Sequence, residues 1–349
     1  MSIPTEPIGS VPRPQSLIDA LTSGSDPAEL AAQMQAATED TIARFEATGS
    51  PIITDGEQSK PSFATYSIHG LQNLAPDGVV IPFADGHSRQ LPRLTEGPFR
   101  YATYAGKYTA AAKELTRTPI KQAVISASAL SLLYPQDGLV DYPQERFLDD
   151  LVEEAERDIR RCFEAGAERV QIDFTEGRLS LKLDPSGGLL RQFVALNNRV
   201  LSRFSNEERA KIGIHTCPGG DHDSTHSADV PYTELLPDLF ETKVGSFYVQ
   251  LASESDPEPT LALLGKLVKG NQRVFVGVID PISPEVESAE QVKARILRAV
   301  RHIPVSNLGT TDDCGFAPFA DDTATARDIS FAKIRARVEG TRLAEVELG

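Results

Sequence analysis

Cysteine is scarce in this chain: 349 residues hold three, Cys162, Cys217 and Cys314. An odd, sparse count excludes a disulfide framework and leaves thiols free for ligation or nucleophilic work. Long apolar runs are missing as well. No stretch approaches the roughly 18 to 20 residues that a membrane-spanning helix needs, so no membrane association is expected. The opening residues, Met1-Ser-Ile-Pro-Thr-Glu6, lack a basic segment followed by an apolar one. No secretory signal is therefore expected, and the expected compartment is cytoplasmic. Basic charge is in deficit: 35 lysines and arginines against 50 aspartates and glutamates leave a formal net charge of −15. Phosphate backbones attract basic surfaces, so nucleic acid is excluded as a partner. There is no internal repeat and no low-complexity segment. What remains, 40% hydrophobic and 24% charged residues, is an ordinary globular composition with material for a large core.

Short β-rich runs alternate with longer helical patterns along the whole chain. The runs are 7–11, 51–55, 120–126, 169–173, 212–214, 246–251, 273–279 and 305–309. Helical patterns follow at 28–47, 107–115, 145–165, 189–204, 232–240, 260–268, 289–300 and 323–339. Residues 73–100 break the rhythm, with 79–91 reading as a hairpin that turns at Asp85-Gly86 beside the site. Strict alternation implies a parallel sheet with covered faces. Eight such units predict an α/β fold, one (β/α)8 TIM barrel over residues 1–349. The alternative is a doubly wound open sheet. The barrel is favoured because polar residues recur at the ends of the runs: Ser10, Asp55 and Glu57, Ser126, Asp173, His215 and Cys217, Gln250, Asp280, Asp313 and Cys314. In a barrel those ends meet at one mouth.

The most informative stretch is Lys211-Ile-Gly-Ile-His215-Thr-Cys217-Pro-Gly-Gly220. Side chains two apart on a strand share a face, so His215 and Cys217 leave the strand end toward one point. An imidazole and a thiol suit a borderline-soft ion such as zinc, and equally a histidine packed beside a buried free cysteine. Cys314 follows the eighth run in Gly309-Thr-Thr-Asp-Asp-Cys314-Gly. At a barrel mouth the three converge. Two thiolates and one imidazole leave one corner of a tetrahedron open, the pattern of a catalytic zinc site. Cys162 lies at a helix end closing on Gly166 and reads as a packing residue.

With these residues in place the chain resembles the catalytic barrel of the cobalamin-independent methionine synthase family, over nearly its whole length. Thr5-Glu-Pro-Ile-Gly-Ser10-Val-Pro looks like that family's opening segment, where backbone and serine hold the homocysteine carboxylate. Asp55-Gly-Glu57 is similar to the loop whose glutamate holds the substrate amino group, and Val170-Gln-Ile-Asp173 to the strand whose aspartate also contacts it. His215-Thr-Cys217 and Asp313-Cys314-Gly315 match the zinc ligands. The resemblance implies a small-molecule thiol and a methyl donor, methylfolate or methylcorrinoid, as partners. Departures are equally specific. Gln250 stands where the family has a glutamate ligand, so Gln250, water or substrate completes the shell. Ile282 stands where the family has its general-acid histidine, so Asp280 or water becomes the expected proton source. Phe174-Thr175-Glu176 follow Asp173 in place of an acidic residue and proline. The full enzyme's second barrel, which helps hold polyglutamyl folate, is expected to be lacking.

The implied activity is zinc-dependent methylation of homocysteine to methionine. Two other readings stay open: another thiol alkylation, such as epoxide opening by coenzyme M, and a non-catalytic zinc- or corrinoid-binding module. His222 and His226 read as a solvated loop, and Arg13 and Arg178 as mouth-side cations that pair with neighbours or hold an anion. Gly187 and Gly188 read as a turn before a helix. Self-association into a homo-oligomer is compatible with the sequence.

Overall fold

The computed structural model describes residues 2–349. Six parallel strands form one continuous sheet in chain order: Lys121–Ile125, Arg169–Asp173, Ile212–Thr216, Ser246–Val249, Arg273–Ile279 and Leu308–Asp312. They are rich in Val, Ile and Phe and buried on both faces, as a helix-covered parallel sheet requires. The first two barrel positions are shorter. Thr5 bridges Thr310 and Ile53 bridges Ile120, both parallel. The two edges then meet through Val11 N–H on the Gly56 carbonyl, 3.1 Å, and Thr54 Oγ1 on the Gly9 carbonyl, 2.7 Å. The expected (β/α)8 barrel is therefore the observed fold. No helix among the described residues is long and apolar enough to cross a membrane.

The main core lies between sheet and helices. The lumen is closed by groups from neighbouring and from distant strands, Tyr248 reaching both Lys121 and Glu6 across the barrel interior. Lys121 Nζ donates to Gln171 Oε1 at 2.7 Å and lies 3.9 Å from the centre of the Tyr248 ring. Tyr248 donates to Glu6. Burial lowers the Lys121 ammonium to a pKa of about 7 despite Glu6 nearby. The closing helix, Arg327–Leu348, sends Arg337 to Thr5 Oγ1 at 3.1 Å and to Asp312, pinning the first strand position to the last strand.

The hairpin forms where expected, Val80–Pro82 against Ser88–Gln90. Several boundaries differ from the sequence reading: the first strand position is a bridge at Thr5, before the expected run 7–11, and two further differences have clear causes. The eighth strand starts three residues late, because Val305–Asn307 make a single 3-10 turn held by Asn307 Nδ2 on the Gly270 and Gln272 carbonyls. The last helix does not stop before Gly340 but runs through it. That glycine lies against the helix Ala289–Val300, where a β-carbon would meet Val292 Cβ at 2.4 Å and the Ala289 carbonyl oxygen at 2.8 Å. It is there for close packing, not as a stop. Four helices were not foreseen: Gln15–Ser23, Glu176–Leu183 and the short Ala127–Ser131 and Asn206–Arg209.

Gly340→Ala is expected to destabilise the fold by about 1–3 kcal/mol through overpacking, outweighing the roughly 1 kcal/mol that alanine adds to an unobstructed helix. Urea denaturation measures it; an unchanged or higher midpoint would contradict the close approach.

Candidate metal centre and substrate cavity

The structure brings His215, Cys217 and Cys314 together. One ligand atom from each lies within 4.8 Å of the others, and this is the one such cluster among the described residues. The strand Ile212–Thr216 supplies His215 at its penultimate position, and Cys217 follows directly. The chain then turns at Gly219, φ 71°, where a β-carbon would collide with His226 Nε2 at 1.8 Å. Cys314 arrives two residues after the strand Leu308–Asp312. The two sulfurs lie 3.1 Å apart, and Gly219 N–H points at Cys217 Sγ from 3.4 Å. Both ring nitrogens of His215 are buried without a partner. Sharing a hydrogen bond with Cys217, and burial, hold the Cys314 thiol well above the ordinary range. Orphaned nitrogens and crowded thiols are costly in a folded core unless a cation takes them. Tetrahedral zinc, with bonds of about 2.0–2.3 Å, sets ligand–ligand edges on this scale. The donor set fits such an ion.

Cys314 is held by its neighbour. The Asp313 carboxylate accepts from Leu251 N–H and Ala252 N–H, both 2.8 Å, and from Ser253 N–H and Oγ, both 2.7 Å. Burial pushes its pKa up to about 6, against those hydrogen bonds. Gly277 leaves room for it, since a β-carbon there would sit 1.8 Å from Asp313 Oδ1. Gln250 lies beside this clamp. Its Nε2 donates to Ser253 Oγ at 2.7 Å, and its Oε1 faces Arg178 Nη1 at 3.4 Å. Asp280 borders the same small cavity, of about 110 Å³, with Cys314. Its Oδ1 accepts from Ile282 N–H at 3.0 Å and Ser283 N–H at 3.4 Å, closing its own turn.

On the other side of Cys314 opens a cavity of about 370 Å³ that includes Ser10, Glu57, Asp173 and His215. Ser10 Oγ accepts from Ala317 N–H at 3.3 Å and approaches Gly315 so closely that a β-carbon there would stand 2.2 Å away. Glu57 occupies a left-handed backbone position, φ 57°, after Gly56 at φ 65°. That turn aims its carboxylate inward, where Lys60 Nζ meets Oε1 at 2.9 Å. Asp173 is paired with His215 in the sheet register and accepts from Gln171 Nε2 at 2.7 Å; burial raises its pKa.

Some site groups escaped the sequence reading. Lys60 is the partner of Glu57, and also donates to the Ala123 carbonyl at 2.9 Å. Glu176 lines the cavity from the unforeseen helix, its Oε1 taking the hydroxyls of Ser126 and Ser128. Burial pushes its pKa up to about 7. The hint available was its spacing, three residues past Asp173. The mouth-side arginines pair internally. Arg13 donates to the carbonyls of Ala317, Phe319, Glu57 and Lys60, and Arg178 to the Val230 carbonyl and Glu254. His226 is not solvated as expected but buried in the cavity wall, with a pKa lowered by burial to about 4. The hairpin covers the cavity through Ile81, Phe83 and Leu91.

Cys314→Ser is expected to weaken zinc binding at least about 100-fold, since a neutral hydroxyl replaces a thiolate. Asp313→Asn, which keeps size but turns an acceptor into a donor facing amide N–H groups, is expected to cost about 2–3 kcal/mol of stability and about 10- to 100-fold in metal affinity. Chelator competition and urea melts read both; wild-type affinity in either variant contradicts the assignment.

Residues 3–332 match the family described as cobalamin-independent synthase, catalytic domain. A methionine synthase of Saccharolobus solfataricus is 22% identical over 350 residues, covering 99% of this chain and 96% of that protein. Among solved structures, the B12-independent methionine synthase of Shewanella sp. W3-18-1 in complex with selenomethionine superposes with a TM-score of 0.79 at 19% identity, covering 100% of this chain and 99% of the other. The putative vitamin-B12 independent methionine synthase of Listeria monocytogenes follows with 0.72 at 22% identity, with 100% and 99% coverage. With 330 consecutive residues inside that match, the chain belongs to the cobalamin-independent synthase family, as its catalytic domain.

Proposed function

We propose that this chain is a zinc-dependent S-methyltransferase that methylates the sulfur of homocysteine to give methionine. The observation that carries the reading is a close thiol–thiol–imidazole trio whose imidazole nitrogens are buried without a partner, beside a cavity that also holds two carboxyl groups for an ammonium. Family membership supports methyl transfer as the general activity; the metal and the thiol are our reading.

A thiol is mostly protonated at neutral pH, its ordinary pKa being about 8.5. When bound, zinc supplies the charge that lets a substrate thiol lose its proton and act as a nucleophile. The protein would hold that ion through His215, Cys217 and Cys314, with Gln250 as the nearest neutral oxygen if Arg178 releases it. Glu57 and Asp173 would take the substrate ammonium, and the Ser10 turn its carboxylate. Lys60 keeps Glu57 in place and meets only one of its oxygens. Where the leaving group of a donor needs a proton, Asp280 is one of the carboxyl groups lining the small cavity beside Cys314 and Gln250. Methylfolate and methylcorrinoid are the donors that the resemblance implies.

The acidic wall argues against coenzyme M. A sulfonate carries no ammonium for Glu57 and Asp173, and would be repelled by both. A non-catalytic binding module would have no use for the amino-acid side of the cavity.

Calorimetry on the zinc-loaded protein should show homocysteine binding and no binding of coenzyme M, and Glu57→Gln should weaken homocysteine about tenfold or more. X-ray absorption should count one added sulfur at the metal on homocysteine binding. Binding of coenzyme M alone, or of neither thiol, sinks the reading.

A further inference from the structure

The cavity beside the metal trio is acidic and apolar at once. Glu57, Asp173 and Glu176 place carboxyl groups in its wall, and Phe63, Phe83 and Phe319 place aromatic rings there. Arg89 is the only lysine or arginine among the described lining residues. It is already held between Asp221, at 2.5 Å, and Asp321, at 2.9 Å. Lys60, just behind the wall, is taken by Glu57. A polyanionic ligand finds no uncommitted positive partner here.

In the proposed reading one ammonium occupies Glu57 and Asp173. Glu176 is then left over. It is 4% exposed. Its Oε1 is held by Ser126 Oγ and Ser128 Oγ, and Ser128 is fixed in turn by Asn197 Nδ2 at 2.7 Å. Its Oε2 is buried with no partner at all. So costly an arrangement persists where a ligand completes it.

We infer that Glu176 is the counter-charge for a second cationic ligand, and that the methyl donor is a small onium ion, a methylsulfonium or a quaternary methylammonium. The inference rests on the proposed thiol methylation and names its electrophile. The thiolate sulfur attacks the methyl carbon, forming the S–CH3 bond. The bond from that carbon to the positive sulfur or nitrogen breaks, and its electron pair stays on the heteroatom. That atom leaves as a neutral thioether or tertiary amine. An anion and a cation become two neutral products, and the thiol's proton has gone to solvent beforehand. The leaving group needs no proton. This accounts for Ile282 at the position where the resemblance sets a general-acid histidine, and for an Asp280 oxygen engaged in its own turn. Aromatic rings and a buried carboxylate in one cavity wall suit a poorly hydrated onium ion.

The test uses the full zinc-loaded chain with homocysteine and four donors in parallel: trimethylsulfonium, glycine betaine, methyltetrahydrofolate and methylcobalamin, with methionine as the readout. Turnover with trimethylsulfonium or glycine betaine is expected to exceed that with the other two at least about tenfold in kcat/KM, and which of the two works tells sulfonium from ammonium. Tetramethylammonium is expected to compete with the onium donor. Glu176→Gln, whose carbonyl can still accept both serine hydroxyls, should raise the onium KM about tenfold and leave homocysteine affinity by calorimetry unaltered. Homocysteine binding followed by methylation from methyltetrahydrofolate or methylcobalamin only, or an onium KM indifferent to Glu176→Gln, overturns the inference and leaves the thiol reading standing. Failure of homocysteine to bind overturns both.

Discussion

One buried carboxylate ties the catalytic end of this barrel together. Asp313 follows the eighth strand, yet all four of its hydrogen bonds reach the segment 251–253 after the sixth. Backbone N–H groups at a strand end have no ladder partner, and a buried carboxylate needs several donors to offset its lost hydration. Each solves the other's problem. The consequence falls on the next residue, Cys314, whose sulfur is thereby set 3.1 Å from that of Cys217. Two crowded thiols and an imidazole with both nitrogens unpartnered are held close, an arrangement whose cost a divalent ion would offset. The same clamp fixes Gln250 through Ser253.

Charge at the mouth is arranged on a similar plan. Arginines and lysines are present but turned to structural work: Arg13 gathers four carbonyls from two loops, and Arg178 spans the Val230 carbonyl and Glu254. Arg89 fastens the hairpin to Asp221 and Asp321, one on the loop after Cys217 and the other on the loop after Cys314. The hairpin and the loops that follow the two cysteines therefore share a charge network. The carboxyl groups inside are left in excess, which favours positively charged ligand groups and disfavours anionic ones.

Much of the fold was legible. The runs 169–173 and 273–279 coincide with the observed strands: Val170 and Ile172 alternate with polar residues in the first, and the second is apolar or glycine from Val274 to Ile279. The eighth strand slipped by three residues, since Val305 and Leu308 look equally strand-like until Asn307 is seen bonding to carbonyls 35 or more positions away. Gly340 read as a helix end because its partner, Val292, is invisible locally. Within the site, His215 and Cys217 were readable from period-2 spacing alone. Glu176 was noticed only as a departure from a pattern, because its role depends on Ser126 and Ser128, one strand earlier.

The sequence by itself determined the alternation of strands and helices, and hence the parallel barrel. It also determined which polar residues end up at the mouth, for these follow from periodicity and chain order. Tertiary structure alone decided which of them are spent on each other and which are left free. Lys60 meets Glu57 and Arg13 meets four carbonyls, while His215 and one oxygen of Glu176 meet nothing. The physical reason is that hydrogen-bond satisfaction depends on distances between segments far apart in the chain, and residue spacing carries no record of them.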